Sequence, residues 1–370
     1  MDSKIIKNVN GLDISILTSS YKKTNERRDN ILLLHGFPEL GYSFRYLIDT
    51  LSSSGYYCIA PDQRGYGNTK FKNYKEKKLK KFSVLNLAKD MYLLLKKINV
   101  DRINIIGHDF GAYVASYFCL LYPKTVKSII IMSMPFSGPP SNSSQEKINF
   151  KDLNNGLKEL NPKRKHYQSY FCSPNASRNM LNCNQGVYDF LRGYYYFKSH
   201  NYKDNKPFRL KNSSSKELSK LPEYYIMKRN LGMSQTIKNY MPSNKKLLLQ
   251  TKAWMTDKDL SYYAKLFEKG GFKEPLKWYR MMLSSKEKEN IKKLRLKNYL
   301  SIPALFISGE SDWGMFQKPG ELEKMQKSFF KNFYGVKTVK KAGHWVQQEN
   351  PQNTSNYILD FYNKIKSNFN

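Results

Sequence analysis

The stretch INIIGHDFGAYVASYFCLL, residues 103–121, decides how this chain folds. Ile103–Ile106 is a near-continuously apolar run of strand length, and Ala112–Leu121 is apolar at helix length. Between them stands Gly107-His108-Asp109-Phe110-Gly111. A glycine on either side lets a strand turn sharply into a helix and pushes the central side chain out beyond the sheet. A lone Gly-x-Asp-x-Gly is most often a turn. Its place between a buried strand and a helix makes it a candidate nucleophile elbow, with Asp109 where a serine is more usual.

Outward from the elbow, Ile31–Leu34, Tyr56–Ala60 and Val126–Met134 also read as buried strands, each near-continuously apolar. Val84, Leu87, Ala88, Met91, Leu94, Leu95 and Ile98 recur at helical spacing behind Ser83, a capping residue. Strand–helix alternation of this kind predicts an α/β fold with a mostly parallel sheet covered on both faces. The pattern breaks near Ser137, in a Gly-Pro-Pro run followed by Ser141-Asn142-Ser143-Ser144. From there the sequence reads as helical and Tyr-rich, with no convincing strand, until a strand at Pro303–Ser308 and a helix around Ser355–Ile365. The expected division is a core in residues 1–136, an inserted helical segment in 137–298, and the rest of the core in 299–370. Residues 70–81 and 211–216 read as exposed loops.

Composition narrows the function. The 370 residues are 40% hydrophobic and 14% aromatic, which excludes a disordered polyelectrolyte. No apolar run approaches the length of about eighteen residues that a membrane-spanning helix needs. The start, MDSKIIKNVNGLDIS, shows no apolar signal core, so a cytoplasmic location is expected, with export by another route left open. The net charge of +33 invites a nucleic-acid reading. The excess is densest in residues 141–300, which hold 33 basic and 13 acidic side chains, and it is mostly Lys. Base-edge readout favours Arg, so no nucleic-acid partner is expected. The charge reads as a solvated face, with weak attraction of the insertion to anionic surfaces left open. The four Cys show no metal-like spacing, so no metal site is expected. Cys58 and Cys119 read as small buried hydrophobes, and pairing of Cys172 with Cys183 stays open.

Two further pieces follow in the order nucleophile, acid, histidine. Asp312 lies in Ser308-Gly309-Glu310-Ser311-Asp312-Trp313, just after a strand. His344 lies in Ala342-Gly343-His344-Trp345, after the strand-like Tyr334–Val339. Of five histidines (35, 108, 166, 200 and 344), His344 is the clear candidate base. His35-Gly36-Phe37-Pro38-Glu39 follows the strand Ile31–Leu34, where a loop supplies one backbone N–H of an oxyanion hole. The residue after the nucleophile supplies the other, so the donors are Phe37 and Phe110. Pro38 is a candidate cis proline that aims the Phe37 amide.

HGFPE, DQRGYG (Asp62–Gly67), GHDFGA (Gly107–Ala112), the Asp312 segment and AGHW together resemble an α/β-hydrolase-fold epoxide hydrolase of the soluble type. The resemblance spans nearly the whole chain from about Asn10. It implies an inserted helical cap carrying two ring-opening tyrosines, assigned to Tyr170 in HYQSYF (166–171) and to Tyr279 in GFKEPLKWYR (271–280). It also implies His35, Pro38, Trp278 and Trp345 as binding residues, an epoxide and water as reactants, and no metal or organic cofactor. The family often has Trp after the nucleophile, where this chain has Phe110. That leaves the backbone amide intact and changes the pocket wall.

The chemistry suits an aspartate. An epoxide has no carbonyl for a serine to acylate, whereas a carboxylate displaces at saturated carbon and leaves a hydroxyalkyl ester for water to hydrolyse. A dehalogenase shares the Asp–His–acid set, but favours Trp or Arg donors beside the nucleophile. An idle binding module using its basic insertion is the reading from another class. Apolar segments such as Tyr194–Phe197 suggest lipid or aryl epoxides.

Overall fold

The computed structural model describes residues 1–20, 29–140 and 150–367. The run Ser141–Ser144, read above as a loop, lies outside the described residues. The strands are β1 (Asp2–Val9), β2 (Leu12–Thr18), β3 (Asp29–Leu34), β4 (Tyr56–Pro61), β5 (Lys70–Phe71), β6 (Ile103–His108), β7 (Val126–Met132), β8 (Arg164–His166), β9 (Ile226–Lys228), β10 (Leu300–Gly309) and β11 (Phe330–Val339). Nine of them form one sheet in the order β1-β2-β4-β3-β6-β7-β10-β11, with β5 against β2. From β4 to β11 every neighbouring pair is parallel; β1, β2 and β5 pair antiparallel. The mostly parallel α/β sheet is therefore the one the apolar runs predict.

Alternate side chains of each strand point to opposite faces. Leu32, Leu34, Ile105, Ile129 and Ile131 pack under the helices Val84–Lys97 and Phe110–Leu121. Ile31, Leu33, Ile106, Ile130, Met132, Leu305 and Ile307 pack on the other face, under the helices Arg45–Ser53 and Pro351–Ser367. Burial on both faces is why these strands show no polar alternation. Each such fully buried side chain contributes about 1.5–3 kcal/mol. Ser83 caps its helix, its hydroxyl accepting from the Asn86 N–H at 3.2 Å.

β7 and β10 lie side by side, Ile129 opposite Ala304, although the sequence between them runs from residue 133 to 299. That segment leaves the sheet and returns to it. Its described part holds helices joined by loops, with a small antiparallel ribbon, Arg164–His166 against Ile226–Lys228. The expectation of no strand there is corrected on this point. Three-residue strands are too short for any periodicity to reveal, and they hold through their packing. The hairpin of β1 and β2 was also not anticipated. In the basic 70–81 stretch, Glu76 is buried and paired with Arg64 at 3.3 Å, so that stretch is only partly a free loop. All four Cys are unpaired, which answers the question over Cys172 and Cys183. No helix among the described residues is long and apolar enough to cross a membrane.

Candidate active site

The sheet order reverses at β3 and β6, because β3 is followed by β4 on one side and β6 lies on the other. Such a switch point opens a crevice beyond the carboxyl ends of the strands. Leu34 pairs with Gly107 there, so the His35–Glu39 loop and the Asp109 elbow start side by side. Asp312 and His344 leave the same edge, after β10 and β11.

Asp109 stands at the sharp turn with φ +52° and ψ −122°. A Cβ on Gly111 would come within 2.0 Å of the Leu34 carbonyl oxygen, so only glycine lets the helix start this close to β3. A Cβ on Gly36 would strike the Asp109 Cβ at 2.4 Å. The closeness brings the Phe37 N–H to Asp109 Oδ1 at 3.2 Å. Phe110 opens the helix Phe110–Leu121, so its N–H has no acceptor within that helix. The Phe37–Pro38 peptide is cis.

His344 Nδ1 lies 3.0 Å from Asp312 Oδ1. Asp312 also accepts the Gly314 N–H at 2.7 Å and the Ser308 hydroxyl at 3.1 Å, which fixes its plane. His344 Nε2 is 3.2 Å from Asp109 Oδ2 but off hydrogen-bond alignment, and it has no hydrogen-bond partner among the described residues. It is therefore placed to receive a proton from a third group. All three residues are buried. Burial opposes ionisation of Asp109, but its contact with His344, and the charges of Lys198 and His108, outweigh it and hold the carboxyl well below the usual range. Burial likewise opposes ionisation of Asp312, and His344 with the Gly314 amide reverses it.

Behind the three lies a second buried pair. His108 Nδ1 is 2.6 Å from Glu39 Oε2, and its Nε2 is 2.7 Å from the His344 carbonyl oxygen. Both ring nitrogens face acceptors, so both carry protons and His108 is an imidazolium. Burial disfavours that charge, and Glu39 restores it, leaving the His108 pKa raised. Glu39 Oε1 accepts the Gln347 and Gln348 side-chain amides. His35 is the opposite case. Its Nδ1 is 2.9 Å from the Gly36 carbonyl and its Nε2 accepts the Gln63 N–H at 3.1 Å, so the ring is neutral. Burial pushes its pKa down to about 4.

Of the two predicted tyrosines, the structure brings one to the nucleophile. The Tyr279 ring lies 5.8 Å from Phe37 and 5.4 Å from Phe110, and Asp109 adds to burial in raising its pKa. Tyr170 is not brought there, which corrects its assignment. Its hydroxyl donates to Asn179 Oδ1 at 2.6 Å and its ring is covered by Lys165, facing away from Asp109. Tyr167, three residues earlier on the same short helix, faces the site instead. Its ring is 6.1 Å from that of Tyr279, and burial and Asp109 together raise its pKa. Both phenols thus stay protonated as donors. Residues three apart on a helix diverge by about 60°, and nothing in HYQSYF says which of its two tyrosines faces inward.

The four expected binding residues act as supports. Trp278 Nε1 donates to the Arg64 carbonyl at 3.0 Å, and its ring backs Phe110. Trp345 Nε1 donates to the Tyr195 carbonyl at 2.9 Å, and its ring lies 4.7 Å from that of His344. The Pro38 carbonyl accepts the Tyr195 hydroxyl at 2.8 Å. With both indole donors and both His35 nitrogens engaged, these residues wall and brace the site rather than offer free donors. Sequence reasoning did not single out Lys198, whose charge acts on Asp109, or Glu349, which accepts the N–H groups on either side of His344. Among the described residues, no cluster of His, Cys, Asp or Glu is disposed to hold a metal.

Comparison with known proteins agrees with this geometry. The pattern of the alpha/beta hydrolase fold family matches residues 29–351. Epoxide hydrolase B of Mycobacterium tuberculosis is 28% identical over 349 residues, covering 91% of this chain and 92% of that protein. Epoxide hydrolase 3 of Siraitia grosvenorii is 26% identical, covering 90% and 92%. Among solved structures, potato (Solanum tuberosum) epoxide hydrolase I superposes with a TM-score of 0.74 at 27% identity, covering 98% of this chain and 99% of that one.

Proposed function

The chain belongs to the alpha/beta hydrolase fold family, and we propose that within it the protein is an epoxide hydrolase working through a covalent ester on Asp109. The observation that carries the reading is an aspartate, not a serine, on the elbow. One of its oxygens is held by the Phe37 N–H and the other faces His344 Nε2.

Asp109 Oδ2 attacks a ring carbon of the epoxide, the carbon–oxygen bond breaks, and a hydroxyalkyl ester forms. Tyr167 and Tyr279 hydrogen-bond the leaving oxygen and supply its proton. His344, oriented by Asp312, then takes a proton from water. The hydroxide adds to the Asp109 carbonyl carbon, and the charge develops on Oδ1. The Phe37 and Phe110 amides stabilise it there, each worth roughly 3–4 kcal/mol in comparable sites. Collapse breaks the ester bond to Oδ2, the leaving alkoxide takes the proton held by His344 to give a vicinal diol, and the proton of the new carboxyl returns to the tyrosine phenolate, restoring the Asp109 carboxylate. Residues 137–298 serve as the cap that lowers the two tyrosines onto the site. The engaged indole donors of Trp278 and Trp345, and Phe110 beside the nucleophile, speak against the halide site of a dehalogenase.

The aromatic wall formed by Phe37, Phe171, Tyr194 and Phe272 supports an apolar epoxide, of the lipid or aryl class. A weak association of the basic insertion with anionic surfaces is a separate expectation that rests on its charge alone. A panel of fatty-acid, aryl and small aliphatic epoxides, assayed for diol, tests the activity. Diol from at least one of them is expected, and none from any would remove the reading. In a single turnover in 18O-labelled water, the diol is expected to take its new oxygen from Asp109 rather than from solvent.

A further inference from the structure

We propose that Lys198 is a positioning residue for the base: its ammonium, caged by aromatic rings behind His344, supplies the positive charge that balances the carboxylates of the site. The inference rests on reading His344 as the base.

Lysine stems commonly lie along apolar surface while the ammonium reaches water. Lys198, the first residue beyond the helix Gly186–Phe197, is only 4% exposed. Its Nζ lies 5.2 Å from the centre of the Trp345 ring, 5.3 Å from Tyr225, and 5.7 Å from both Tyr194 and Tyr224. The ammonium makes no hydrogen bond or ion pair among the described residues. A buried ammonium without compensation is expelled or neutralised. Two things compensate here. Ring faces attract a desolvated cation; burial lowers the Lys198 pKa, and the nearby Asp109, Asp312 and Glu39 offset part of that shift.

The backbone around it belongs to the base. The Lys198 carbonyl accepts the His344 N–H at 2.9 Å. A Cβ on Gly343 would come within 2.6 Å of that carbonyl oxygen. Glu349 Oε2 accepts both the His200 and Gly343 N–H groups, and its Oε1 accepts the Trp345 N–H. The loop bearing His344 and the segment bearing Lys198 are thus clamped as one piece. Beside it stand the carboxylates of Asp109, Asp312 and Glu39, and the one other cation that acts on Asp109 among the described residues, apart from a protonated His344, is His108. An unbalanced negative site would favour a proton resting on His344, and a base that is already protonated cannot take one from water. Lys198 opposes that resting proton. The same three carboxylates would repel a carboxylate on a substrate, so Lys198 is not read as an anchor for one. The other groups facing the triad are His35, Glu349 and the hydroxyls of Tyr66, Tyr167, Tyr194, Tyr224, Tyr225 and Tyr279.

The test compares Lys198→Met, which keeps the stem, with Lys198→Arg, which keeps the charge; Lys198→Gln takes the place of the first if that variant does not fold. Two quantities are read: the pH profile of single-turnover ester hydrolysis on a neutral aryl epoxide, and proton uptake by the His344 ring followed by NMR. In the neutral variant both midpoints are expected to move up by about one pH unit, slowing hydrolysis on the acid limb about tenfold, with KM unchanged. Arg is expected to restore both. Unshifted midpoints, equal impairment of the Met and Arg variants, or a loss confined to carboxylate-bearing epoxides would overturn the proposal. If the protein opens no epoxide, the proposed function fails while the NMR comparison still decides the role of Lys198.

Discussion

Tyr167 and Tyr279 stand edge to face beside the nucleophile, their ring centres 6.1 Å apart, and both phenols are buried next to the Asp109 charge. Removing either hydroxyl deletes one donor to the leaving oxygen. Tyr167→Phe and Tyr279→Phe are each expected to slow ester formation by about 10²–10⁴-fold, the usual worth of a general acid. Tyr170→Phe is expected to stay near the wild-type rate, since its hydroxyl serves Asn179. Rapid-quench measurement of ester formation separates the three. A Tyr170→Phe enzyme that loses activity while Tyr167→Phe keeps it would restore the assignment made from sequence.

His108 carries its charge only because Glu39 faces it at 2.6 Å, with both side chains fully buried. Glu39→Gln leaves an imidazolium without its counter-charge directly behind His344. Breaking such a pair costs about 3–5 kcal/mol, so the midpoint of urea unfolding is expected to fall markedly. An unchanged midpoint would mean that His108 is neutral in the folded protein.

His166 is held neutral. Its Nδ1 accepts the Gln168 N–H at 3.2 Å, and burial pushes its pKa down to about 3 from an ordinary 6.5, with Lys318 adding to the shift. Below pH 6.5 the unfolded chain binds a proton that the folded one refuses, so this contribution to stability is present above pH 6.5 and is lost as pH falls towards 3. Comparing wild type with His166→Asn, the stability difference is expected to shrink by roughly 2 kcal/mol between pH 7.5 and pH 5. An unchanged difference at the two pH values would show that His166 takes up its proton as readily in the folded protein as in the unfolded chain.

Much of this architecture was legible from residues alone. β3, β6, β7 and β10 are buried on both faces, and that burial is written directly as apolar runs. The elbow glycines report how closely the helix approaches β3, and the order Asp109, Asp312, His344 follows from which strand ends share an edge. What the sequence did not disclose depends on contacts between distant segments. The choice of Tyr167 over Tyr170 turns on the rotation of a five-residue helix. Lys198 reads as one Lys among many in a basic insertion, and only the fold sets it behind His344. The resemblance implied Trp278 and Trp345 as binding residues, and their backbone partners, Arg64 and Tyr195, lie too far away in sequence to be read from it. The +33 charge says little about the chemistry. The part of it that bears on the site is one buried ammonium and one imidazolium.

The central claim is that Asp109 becomes esterified and that His344 drives the ester's hydrolysis. Its most direct test is mass spectrometry of His344→Gln after incubation with a substrate epoxide. The account predicts a stable adduct, heavier by the mass of the intact epoxide, on the peptide bearing Asp109, with no such adduct in Asp109→Asn. Normal diol turnover by His344→Gln, or an adduct on any other residue, would contradict it.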